Sequence, residues 1–145
     1  MNESASGEQY DLETIETTCL ELGLPCKRTS DCEIEVAIAP GSVLVIANTD
    51  TGTDTYLGFR DVPAHSHGPL ILMIGEATYV EYDPSEVLRG LVSGHVVILT
   101  QYMRGQLTDR WLAHRDEKID IRYIEADEEI RIYRVGDRKV FEDME

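Results

Sequence analysis

The apolar positions of this chain fall into two rhythms, and these divide it into helices and strands. Across residues 11–22, Leu12, Ile15, Cys19, Leu20 and Leu22 recur near helical spacing, while Glu13, Glu16 and Glu21 take the opposite side. That is the pattern of an amphipathic helix. Asp11 and Glu13 suit the positive end of its dipole, and Gly23 followed by Leu24 and Pro25 stops it. A second helix is predicted over 84–93. Asp83 caps it, Pro84 fills the first position, Glu86 completes an Asp-x-x-Glu box, and Val87, Leu88, Leu91 and Val92 form the apolar stripe before Gly94.

Elsewhere the period is two. Residues 33–39 alternate Ile34, Val36 and Ile38 against Glu33, Glu35 and Ala37, and Pro40-Gly41 turns the chain into the apolar run 43–47. Further strands are predicted at 55–60, 70–74, 78–82, 95–103, 107–113, 119–124 and 129–135. The first five strands read as a meander whose central members are buried on both faces. By alternation Trp111, the single tryptophan, shares a face with Leu107, Asp109 and Ala113. No strand–helix–strand rhythm appears, so the pattern predicts an α+β fold: a mainly antiparallel sheet of about eight or nine strands carrying two helices on one face. At 145 residues the chain suits a single domain. Residues 1–10 and 137–145 are expected to be loose tails.

Charge changes the picture most. With 28 Asp+Glu against 13 Lys+Arg the net charge is −15, which repels nucleic-acid phosphates and anionic membranes. The first 59 residues hold 11 acids and 2 bases. Glu13, Glu16 and Glu21 read as a solvated helix face. Asp50, Asp54 and Asp61 crowd turns between strands, where side chains meet partners. Glu125, Asp127, Glu128 and Glu129 make the densest single-sign turn, suited to edge protection or to docking a basic protein. The opening residues lack the basic head and apolar stretch of a secretory signal, and no apolar run approaches a membrane span, so a cytoplasmic location is expected.

Candidate chemistry is sparse. Cys19, Cys26 and Cys32 match no common zinc spacing and are expected as reduced thiols, with Cys19 in the core. His65 and His67, at i and i+2, could share a metal with help from Glu76, but the carboxylate comes much later than in the cupin metal motif. The alternative is a Pro/Gly-punctuated loop whose imidazoles bond backbone groups. No nucleophile elbow, phosphate-binding loop, dinucleotide fingerprint or zinc-protease helix occurs. Neither a catalytic residue nor a cofactor is expected.

The His65-Ser66-His67 element between Pro63 and Gly68, the strand 79–83, the short helix 87–92 and the Gly-led apolar strand 94–98 carry a family resemblance. Over residues 55–114 the chain resembles the small acidic immunity proteins that neutralise bacterial polymorphic toxins, such as those of contact-dependent and type VI secretion systems. The resemblance implies a non-catalytic inhibitor that covers the active site of a cognate, basic toxin domain, one that targets nucleic acid. Asp50, Asp54, Asp61, Glu125, Asp127, Glu128 and Glu129 would then meet the toxin's Lys and Arg. Two other readings stay open: a metal-binding enzyme or sensor built on His65 and His67, and a structural or regulatory homodimer that pairs a strand edge such as 129–135.

Overall fold

In a computed structural model the described residues are 9–39, 42–49, 54–74, 78–116, 127–136 and 139–144. Helix α1 (Leu12–Leu22) starts where the Asp11 carboxylate accepts the Thr14 backbone N–H, and it ends at Gly23. Helix α2 (Pro84–Ser93) has the full capping box: Asp83 accepts from the Glu86 N–H at 2.8 Å, and Glu86 accepts from the Asp83 N–H at 2.9 Å. Both helices lie where the sequence pattern predicts them. Within α1 one position differs, because Leu20 is 76% exposed while Thr18 is buried. Thr18 satisfies its hydroxyl on the Thr14 carbonyl and on Ser85 of α2, so it can face the other helix.

The strands form three antiparallel sheets rather than one. The first takes β1 (Cys26–Ser30), β2 (Glu33–Ala39), β3 (Ser42–Asn48), β4 (Thr55–Phe59) and β5 (His65–Ser66) in chain order. A separate hairpin pairs β6 (Leu70–Ile74) with β7 (Thr78–Tyr82). The third sheet has the order β11-β10-β8-β9, from β8 (Val96–Met103), β9 (Gln106–His114), β10 (Glu128–Gly136) and β11 (Lys139–Met144). The predicted strand over 119–124 lies outside the described residues.

Several expectations change as a result. The stretch after Gly136, expected to be loose, contains β11, paired with β10 from Gly136↔Lys139 to Arg131↔Met144. Backbone pairing supplies this strand, which an acidic sequence conceals. Strand β10 is therefore interior, with β8 on its other side, and 129–135 presents no free edge for a dimer. The meander's central strands are buried on one face only: Ile34, Val36, Leu44 and Ile46 face inward, whereas Val43, Val45 and Ala47 are half-buried on the outer face. It is β8 that is buried on both faces. Val96 and Ile98 join the main core, and Val97 and Leu99 join a second cluster with Ala113, against which Trp111, Ile130 and Ile132 pack. A register shift between Gln101 and Tyr102 leaves Thr108 out of the ladder. This bulge turns Leu107 onto the main core with Leu112, away from Trp111.

The main core draws on both helices, the hairpin and the other two sheets. Helix α1 packs on β2 and α2, and α2 packs on β7, β8 and β10. Helix α2 sits close to β8 because position 90 is glycine: a Cβ there would lie 2.5 Å from Val96 Cγ2. No helix among the described residues is long and apolar enough to cross a membrane.

Replacing Leu88, which has no exposed surface, with alanine should cost about 2–5 kcal/mol in urea unfolding through lost burial and a residual cavity. Gly90→Ala should cost about 1–3 kcal/mol by overpacking against Val96, and adding Val96→Ala should recover part of that loss.

Candidate functional site

The acidic residues singled out by sequence have different fates. Asp61, after β4, receives Arg110 Nη1 of β9 with both carboxylate oxygens at 2.6 Å. The Arg110 side chain is 10% exposed, and its guanidinium also lies over the Phe59 ring at 5.6 Å. This pair fastens the first sheet to the third. Asp127 pairs with Arg104 at 3.2 Å and Glu129 with Arg131 at 2.8 Å, while Glu128 accepts from the Gln101 amide. Asp127, Glu128 and Glu129 therefore meet donors of their own chain. Asp50 and Glu125 lie outside the described residues.

Asp54 leads to a different place. Its carboxylate accepts the Thr55 N–H and lies 3.3 Å from His67 Nδ1. Thr55 Oγ1 accepts from the Gly68 N–H, and the Gly68 carbonyl in turn accepts the Tyr10 hydroxyl. The Tyr10 backbone is clasped by Asn48, whose side chain accepts at 2.8 Å and donates at 3.1 Å. Residue 10, expected in a loose tail, is thus fixed by hydrogen bonds on three sides.

Beyond Tyr10 lies a cleft of 540 Å³ at the starts of both helices. Asp11, Glu81, Asp83 and Glu86 line it with Tyr10 and Ser85, and the lining includes neither lysine nor arginine. Three of these acids also serve as caps. Asp11 takes the Thr14 hydroxyl at 2.8 Å and its N–H at 3.2 Å, contacts that hold its carboxyl below the usual aspartate value. Asp83 and Glu86 cap α2. Glu81, exposed at the end of β7, caps neither helix. Each helix start contributes roughly half a positive charge, so four ionised carboxylates leave the cleft strongly negative. Its caps are legible in sequence, but their convergence is not, because it depends on how α1 meets α2.

The histidines are arranged as backbone-bonded rings. His65 Nδ1 bonds the Pro63 carbonyl at 2.8 Å, and His67 Nδ1 bonds the Thr55 carbonyl. His65 stacks on Tyr56 with centroids 4.7 Å apart and meets His67 edge-on at 4.9 Å. Gly58 permits this, since a Cβ there would stand 2.8 Å from His65 Cβ. His95 and His114 are neighbours of each other, with ring centroids 6.5 Å apart. Among the described residues no group of three or more His, Cys, Asp or Glu side chains is disposed to hold a metal ion; Glu76 is not among them. No protein-family model, curated protein or solved structure matches this chain.

Two measurements check this geometry. Asp61→Ala should cost about 1–3 kcal/mol by leaving a buried guanidinium unpaired, whereas Asp127→Ala, in an exposed pair, should cost under about 1 kcal/mol. Burial, chiefly, raises the Tyr10 phenol above 10.0, with Asp54 adding to the rise and the Thr55 hydroxyl opposing it. A raised folded-state value gives stability that is present below pH 10.0 and lost as pH climbs through the folded value. Tyr10→Phe should remove that alkaline component from unfolding curves measured between neutral pH and pH about 11.

Proposed function

We propose that the protein is a non-catalytic inhibitor of the immunity type, which binds a basic toxin domain and covers its active site. The observation that carries this reading is the cleft at the two helix starts, where four carboxylates converge without a lysine or arginine in the lining. Asp54 lies on the same side, linked to Tyr10 through Thr55 and Gly68. A domain that works on nucleic acid carries the complementary Lys and Arg, and a negative surface accelerates its approach and fixes its orientation. The acidic stretch 127–129 at the start of β10 is the secondary surface in this proposal, because Asp127 and Glu129 already pair with arginines.

The test is protection. If a neighbouring gene encodes a basic toxin domain, cells producing that domain should grow only when the protein is co-produced, and the purified pair should associate more weakly as salt rises. Asp54 and Glu81 are the informative positions, since neither caps a helix. An Asp54→Lys, Glu81→Lys double variant should retain its fold and lose at least about tenfold in association rate through reversed steering. Unprotected cells, or unchanged association by the double variant at low salt, would overturn the respective part of the proposal.

A further inference from the structure

Helix α1 ends in a turn that brings two cysteines together. The Leu24 N–H bonds back to the Cys19 carbonyl at 2.9 Å, and the Pro25 carbonyl accepts the Ala37 N–H at 2.9 Å, so the loop between α1 and β1 is fixed at both ends. Cys19 is fully buried in the main core, and Cys26, half-buried at the start of β1, packs against that same cluster. Both are free thiols, they flank the same short fixed loop, and they meet at the same core cluster. Cys32 sits in the turn at the opposite end of the β1–β2 hairpin, three ladder pairs beyond Cys26↔Val36.

We propose that Cys19 and Cys26 are a modification site, a dithiol that peroxides convert to a disulfide joining the end of α1 to the first strand. The chemistry has an order set by exposure. Burial, chiefly, together with the adjacent Cys26 thiol pushes the Cys19 thiol up to about 12, so Cys19 stays protonated at neutral pH. The half-buried Cys26 meets the oxidant. Its thiolate attacks one peroxide oxygen, forming an S–O bond and breaking the O–O bond, with hydroxide leaving. The Cys19 sulfur then attacks the Cys26 sulfenic sulfur; the S–S bond forms, the S–O bond breaks, and the departing hydroxide takes up the Cys19 proton as water. The two thiols are oxidised and one peroxide is reduced, giving one disulfide and two waters.

The folded full-length chain provides the test. No lysine or arginine precedes Lys27, so a tryptic peptide spanning 1–27 carries both cysteines and Cys32 falls in another. After brief treatment with hydrogen peroxide, alkylation in denaturant and digestion, peptide 1–27 should be unalkylated and about 2 Da lighter than its reduced form, with Cys32 still alkylated. A thiol reductant should restore alkylation at both positions. In Cys26→Ser, peroxide should leave Cys19 alkylatable; this variant changes the more exposed partner and keeps the buried one, and Cys32→Ser should behave as the parent chain. The proposal is overturned by alkylation of Cys19 and Cys26 after peroxide, by accumulation of sulfinic Cys26 with Cys19 free, or by oxidation that proceeds only through Cys32-linked dimers.

Discussion

The molecule depends on the parallel packing of its two helices through the apolar face of α2. Val87, Leu88 and Leu91 are fully buried, and the helix they belong to touches α1, the hairpin and the third sheet. Direction follows from the polar contacts between helices. Thr18 donates to Ser85 at 3.1 Å and Arg89 donates to Glu21 at 2.7 Å, so the two helices advance in the same direction. Parallel helices place their positive ends side by side, an arrangement that carboxylates at those ends relieve. Asp11, Asp83 and Glu86 stand at those ends as caps, and their meeting in one acidic cleft follows from the packing.

Local signals made both helices legible, since caps, stop signals and apolar stripes sit within one short window. Strand β2 was equally legible, since its alternation places Ile34 and Val36 inward, whereas the continuous apolar runs of β3 and β8 marked strands without marking that β3 buries one face and β8 both. What sequence concealed was structure made by backbone pairing. Strand β1 reads Cys-Lys-Arg-Thr-Ser, with four of its five residues exposed, and its sequence has no apolar rhythm because it borders a sheet. Bulges hide for another reason. The extra residue at Thr108 reverses the side on which Leu107 falls, and periodicity alone carries no mark of it.

Charge was legible as a total but not as a distribution. Acids adjacent in sequence proved to be internally paired: Asp127 and the first two residues of β10 engage Arg104, Gln101 and Arg131, and Asp61 engages a buried arginine. Acids far apart in sequence proved to be neighbours, at the starts of helices separated by some seventy residues. Density along the chain therefore does not by itself show which carboxylates lack a cation of their own, because a local run of carboxylates recruits local cations when the strands carrying it also carry arginines.

The carboxylates of the cleft divide by what folding requires of them. A capping box needs Asp83 and Glu86, and α1 needs Asp11. Glu81 caps neither helix, and Asp54, beside the cleft, accepts the Thr55 N–H and lies against the His67 ring without capping a helix. Holding these additional charges nearby costs the free protein little, since two carboxylates about 8 Å apart in water repel by about 0.5 kcal/mol and salt screens that further. Under the proposed docking the same charges would become more valuable, because attraction strengthens as the dielectric falls when a cationic surface excludes water. An acid tolerated cheaply when solvated and rewarded when covered is the type of residue the proposed docking surface would need, and Asp54 and Glu81, which cap no helix, are freer for that than the caps beside them.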